Sequence, residues 1–219
     1  MPRFQTVLFD MDGVLVDSES FWQQFWRDQV FAHAEIGDPG LEDVNGRNFR
    51  ESLEDLAATY GLPGEPERYA RQFEEAAETV YGEQVSITPG ISDFFERLRD
   101  QGIDVGIVSS ADWIERVIKR FDLAPIDVMV SAEHIDLPGK PEPFIYEHAA
   151  AELGVKPSAC LVIEDSVNGV RAAARAGCTV IRFCQGTTVQ ATDTLILSPT
   201  LQTIFSKRSS NYFLRTVSA

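Results

Sequence analysis

After Pro89-Gly90 this chain alternates between two patterns, and that alternation limits its folds more than any other feature. Short β-branched runs at 104–108, 128–131, 160–163 and 179–183 are separated by helical patterns at 91–101, 113–120, 142–153 and 167–176. Such a succession indicates βαβ units and a parallel sheet. One earlier run of the same kind, QTVLF at 5–9, reads as a buried parallel strand. It is followed by a stretch with helical patterns only, at 20–34, 49–60 and 65–81, broken by Gly/Pro-rich segments at 37–40 and 61–66. The expected fold is therefore α/β: a doubly wound, Rossmann-like parallel sheet with an α-helical domain inserted after its first strand. The boundaries are 1–16 and 88–219 for the core and 17–87 for the insertion. Beyond 186 the rhythm stops; only 194–197 reads as a further strand, and 211–219 is expected to be poorly ordered.

Composition narrows the partners. The 219 residues carry 34 acids against 19 bases, a net charge of −15. Sixteen acids and five arginines fall within 17–88, a net of −11, whereas 185–219 is net +2. A field of this sign repels nucleic acid and anionic membranes, so neither is an expected partner. Two readings of the acid excess stand. One is a surface adapted to high salt, which the scarcity of lysine favours (four of nineteen bases); the other is an ordinary acidic cytosolic protein. No apolar run approaches the roughly 18–20 residues of a membrane span. MPRFQTVLFDMDG lacks the layout of a secretory signal. Three cysteines, Cys160, Cys178 and Cys184, are too few for a disulfide framework or a zinc knuckle. The chain reads as cytoplasmic.

In open parallel sheets, ligands bind at the carboxyl ends of the strands. The polar residues there form one set: Asp10 and Asp12, Ser109 and Ser110, Glu164 and Asp165. FDMDG at 9–13 puts two carboxylates two residues apart, where an extended backbone would aim them the same way. That is costly beside an apolar strand unless a cation is present. Alone, the motif is also a polar turn ahead of a helix. The other strand ends favour chemistry: Ser109-Ser110 offers hydroxyl and N–H donors at a helix start, and Lys140 in GKP offers a fixed cation. Acids, hydroxyls and one lysine converging at an edge suit a phosphate with a hard divalent cation. Magnesium matches carboxylate, carbonyl and water ligands.

With DMDG at 10–13, Ser109, Lys140, and Glu164-Asp165 followed by Asn168-Gly169 in this order, the chain resembles the haloacid dehalogenase superfamily from about residue 7 to 183. The nearest subgroup is the one with a helical cap that includes β-phosphoglucomutase and sugar-phosphate phosphatases. The resemblance implies that Asp10 attacks phosphorus to form an aspartyl-phosphate and that Asp12 is the general acid and base. It implies magnesium held by Asp10, the Asp12 carbonyl and Asp165, with Glu164 nearby or bound through water. Ser109, the Ser110 amide and Lys140 would hold the phosphoryl oxygens. Residues 17–87 would be the cap, hinged near 16–18 and 87–89.

A second aspartate, absent from true dehalogenases, argues for a phosphatase. The expected activity is magnesium-dependent hydrolysis of a small phosphorylated metabolite, with a sugar phosphate foremost. A β-phosphoglucomutase-like isomerase and a non-catalytic scaffold are the alternatives. In the cap, Arg47 and Arg50 lie near the position of a family arginine that contacts substrate, though a solvated arginine is an equal reading. Trp22 stands where the mutase has a histidine, which favours hydrolysis; with Trp26 at i, i+4 it reads as cap core before a sugar platform. His33, His134 and His148 show no shared spacing and read as surface or structural residues.

Overall fold

The computed structural model describes residues 4–123, 125–135, 137–185 and 212–216. Its strands are β1 (Thr6–Phe9), β2 (Asp104–Ser109), β3 (Val128–Ser131), β4 (Cys160–Glu164), β5 (Thr179–Gln185) and β6 (Tyr212–Thr216). Its α-helices are α1 (Glu19–Phe25), α2 (Phe49–Tyr60), α3 (Pro66–Thr79), α4 (Ile91–Asp100), α5 (Ile114–Phe121), α6 (Phe144–Glu152) and α7 (Val167–Arg175). All six strands join one sheet in the order β3-β2-β1-β4-β5-β6. The first five in chain order run parallel, as predicted.

Alternate residues of each strand feed opposite faces. Val7, Phe9, Ile107 and Ile163 pack in one cluster with Phe94 and Leu98 of α4 and Val117 of α5. Leu8, Val108, Val162 and Val180 pack in the other with Ile145 of α6 and Val170 of α7. This two-sided burial is why the strands read as continuous apolar runs. The chain steps outward from β1 to β3 on one side and from β4 to β5 on the other, so strand order reverses between β1 and β4. Register pairs Phe9 with both Ile107 and Ile163. Asp10, Ser109 and Glu164 therefore emerge at one edge, at the reversal where such sheets bind ligands.

Helices α1 to α3 stand between β1 and α4, in the predicted place. Trp26 just after α1, Phe49 of α2 and Phe73 of α3 belong to the same cluster as Val7 and Ile107. Phe49 stacks on Phe73 with ring centroids 4.1 Å apart. The connecting strands of chain run side by side: the Thr88 N–H donates to the Leu15 carbonyl at 2.8 Å, and the Asp17 N–H to the Ser86 carbonyl at 3.1 Å.

Several predicted elements need correction. The single helix expected over 20–34 ends at Phe25, passing into a π-helical turn (Trp26–Val30) and a 3-10 turn (Phe31–His33). The wide turn still buries Trp26 and Val30, so the apolar spacing looked like one helix. Likewise α3 stops at Thr79 and a π-helical turn, Val80–Gln84, follows. The helix expected from 142 begins at Phe144, leaving Pro141 outside its first turn. A residue before proline disfavours helical geometry, and both Lys140 and Glu142 precede one. Within 211–219, expected to be poorly ordered, Tyr212–Thr216 instead pairs antiparallel with β5, whose outer backbone groups it satisfies. The strand expected at 194–197 lies outside the described residues. Among those residues no helix is long and apolar enough to cross a membrane.

Candidate active site

Asp10 follows β1 directly, its N–H donating to the Ile163 carbonyl at 2.9 Å. Three residues on, Gly13 takes a φ of +75°, which favours glycine. A Cβ there would also overlap the Asp165 carboxylate. The glycine thus lets the first loop approach the end of β4.

Lys140 is fully buried between the two strand ends. Its Nζ donates to Asp10 Oδ1 at 2.5 Å and to Glu164 Oε1 at 2.7 Å. Glu164 also accepts from Tyr146 Oη at 3.3 Å, from the Ser166 N–H at 2.8 Å and from Ser166 Oγ at 3.0 Å. Burial acts to lower the Lys140 pKa, but Asp10 and Glu164 outweigh it and hold it well above the ordinary lysine value. Burial pushes the Asp10 carboxyl well up; Lys140 opposes this, while Glu164 and Asp12 add to it. Asp165 is also raised well above the usual range, by burial first and then by Glu164, Asp10 and Glu19.

Carboxylate oxygens of Asp10, Glu164 and Asp165 lie within 4.8 Å of one another. Three acids facing one lysine form a hard-oxygen donor set with surplus negative charge, and a divalent cation such as magnesium fits it. Glu164 already spends both oxygens on Lys140, Tyr146 and Ser166, which suits a supporting position. The Asp12 carboxylate is outside this trio and has other partners. Its Oδ1 accepts from Ser18 Oγ and from Tyr81 Oη, the latter at 2.8 Å. Trp22 Nε1 in turn donates to Tyr81 Oη at 3.1 Å. Burial raises the Asp12 pKa, and hydrogen bonds from Ser18, Tyr81 and Trp22 moderate the rise.

Above these groups lies a cavity of about 100 Å³, floored by Asp10, Asp12 and Asp165. Trp22, Phe49, Phe73 and Tyr81 give it an aromatic wall; Glu19, Asn45, Arg47 and Glu133 bring polar groups. Ser110 lines it, with its Oγ donating to the Gly46 carbonyl at 3.1 Å. Ser109 is buried at the end of β2, and its Oγ accepts from the Ala111 N–H at 3.0 Å. Arg47 pairs with Asp55 at 2.5 Å. Arg50 is exposed and does not line the cavity. His33 lies near the Tyr69 ring and His148 beside Glu152, both away from the site; nothing is described of the His134 side chain.

The structure thus gathers Asp10, Asp12, Lys140, Glu164 and Asp165, with Ser109, Ser110, Trp22 and Arg47 around them. Sequence reasoning missed Tyr81, Glu19 and Tyr146. Tyr81 lay inside a helical pattern with no local mark. Glu19 could have been suspected as the residue directly after Ser18, at the mouth of the first loop.

The haloacid dehalogenase-like hydrolase family matches residues 4–177 of the chain. This protein is a haloacid dehalogenase-like hydrolase. Hexitol phosphatase B of Escherichia coli (strain K12) is 34% identical over 182 residues, covering 74% of this hydrolase and 76% of that protein. The "Phosphorylated carbohydrates phosphatase" of Thermotoga maritima is 31% identical over 180 residues, covering 79% and 82%. In fold, the hydrolase resembles the crystal structure of CbbY from Rhodobacter sphaeroides in complex with phosphate. The TM-score is 0.65 at 23% identity, covering 81% of this chain and 84% of that one.

Proposed function

We propose that this hydrolase is a magnesium-dependent phosphatase of small phosphorylated carbohydrates that works through a phospho-aspartate on Asp10. Residues 1–16 and 88–219 form the catalytic core, and 17–87 the cap. The observation that carries the reading is Asp10 bonded to buried Lys140, with Asp12 and Asp165 beside it at the reversal of strand order.

In the first step Asp10 forms a bond to phosphorus as the bond from phosphorus to the sugar oxygen breaks. Asp12 gives its proton to the departing alkoxide. Asp12 then takes a proton from the water that attacks phosphorus, and Asp10 leaves as a carboxylate. Lys140, Ser109 and the Ser110 N–H hold the phosphoryl oxygens while their charge redistributes. Asp10, the Asp12 carbonyl and Asp165, with Glu164 in support, would hold magnesium, which would supply positive charge to the same oxygens. The aromatic wall suits the C–H faces of a carbohydrate, and Glu19, Asn45 and Arg47 suit its hydroxyls. The two relatives, a hexitol phosphatase and a phosphatase of phosphorylated carbohydrates, point the same way. Closure about the paired segments 14–17 and 86–88 would exclude water from the cavity.

The test is release of inorganic phosphate from hexitol and hexose 6-phosphates. Turnover is expected with magnesium, none with a chelator, and none for Asp10→Asn, whose amide is no anionic nucleophile. Activity unaffected by Asp10→Asn would overturn the proposal. So would glucose 6-phosphate accumulating from β-glucose 1-phosphate without phosphate release.

A further inference from the structure

Two hydroxyl donors converge on one oxygen of the Asp12 carboxylate. Oδ1 accepts from Ser18 Oγ and Tyr81 Oη. The Tyr81 hydroxyl has a single proton, and an indole N–H can only donate. Because Trp22 Nε1 donates to Tyr81 Oη, the tyrosine oxygen is used there as an acceptor and its proton is left to point at Asp12. Tyr81 is itself held firmly. Its ring stacks on Trp113 with centroids 5.6 Å apart, and its main-chain carbonyl accepts from the Arg120 guanidinium at 2.9 Å.

We propose that Tyr81 is a positioning residue for the acid–base step: with Ser18 it holds Asp12 through Oδ1 and so fixes the direction in which the carboxyl meets the leaving group. In the forward step the proton moves from Asp12 to the alkoxide oxygen as the phosphorus–oxygen bond breaks. In the second a proton returns to Asp12 from the attacking water. The wide turn after α3 gives this arrangement its position, since it carries Tyr81 into the site. The inference builds on the acid–base role proposed above for Asp12 and assigns the residue that orients it.

The test compares kcat/KM of Tyr81→Phe on a hexitol 6-phosphate and on p-nitrophenyl phosphate. This parameter covers steps through departure of the leaving group. An alkoxide needs the proton and a nitrophenolate does not. Loss of a hydrogen bond to a charged group predicts that the hexitol substrate loses about tenfold or more relative to the nitrophenyl one, mainly in kcat. Trp22→Phe, which keeps Tyr81 but frees its hydroxyl to rotate, should show the same selectivity at about two- to fivefold. Equal losses on both substrates, or no loss on either, would overturn the positioning role. A Tyr81→Phe enzyme with equal losses whose turnover still requires Asp10 refutes this inference alone. Turnover in the parent that survives Asp10→Asn refutes the phospho-aspartate reading beneath it.

Discussion

Lys140 holds a buried ammonium between two carboxylates, and its removal would leave Asp10 and Glu164 uncompensated. Lys140→Met keeps the volume and deletes the charge. It should lower stability by about 3–5 kcal/mol, the usual cost of breaking a buried pair from one side. Urea unfolding measures this, and a change under about 1 kcal/mol, the size of an exposed pair, would contradict the account. Lys140 was legible in the sequence because lysine is scarce and it precedes proline between two strands. Asp10, Asp12, Ser109, Glu164 and Asp165 were legible because strand ends in a parallel sheet converge. Tyr81 was not. It meets Asp12 across 69 residues, and its ring packs like any core aromatic, so only the hydroxyl's direction reveals the role.

Among elements, α7 shows how a helix start is shaped by the site. Ser166 caps it, accepting from the Gly169 N–H at 2.9 Å while donating to Glu164. A Cβ on Gly169 would run into the Glu164 carboxylate, which Lys140, Tyr146 and Ser166 hold in place. Replacing a helical glycine by alanine ordinarily stabilises by about 1 kcal/mol. For Gly169→Ala the sign should reverse, to a loss of about 1–3 kcal/mol from overpacking, together with reduced turnover. A raised melting temperature would contradict this packing. The elements themselves were largely readable, since β-branched runs buried on both faces leave a strong signal. The π-helical turns were not, because they bury the same apolar residues that a continuous helix would. The start of α6 was misplaced for a related reason: Pro141 and Pro143 each restrain the residue before them, and the apolar pattern does not register that.

At the scale of the whole molecule, the net charge of −15 and the chemistry occupy different places. Much of the excess lies in 17–88, while the candidate site sets its own acids against a buried lysine. Asp10 and Lys140 meet across 130 residues, so the site exists only once the sheet is assembled. What the assembled site is proposed to do is accept a phosphoryl group on Asp10. Asp12→Asn should still permit that transfer from p-nitrophenyl phosphate, whose leaving group needs no proton, but should slow the hydrolysis that follows. The decisive measurement is an acid quench of this variant mixed with p-nitrophenyl phosphate, followed by mass spectrometry of the peptide spanning Asp10. The account predicts a burst of nitrophenolate matching the enzyme concentration and a phosphoryl group on Asp10. Nitrophenolate released while the Asp10 peptide stays unmodified would contradict it.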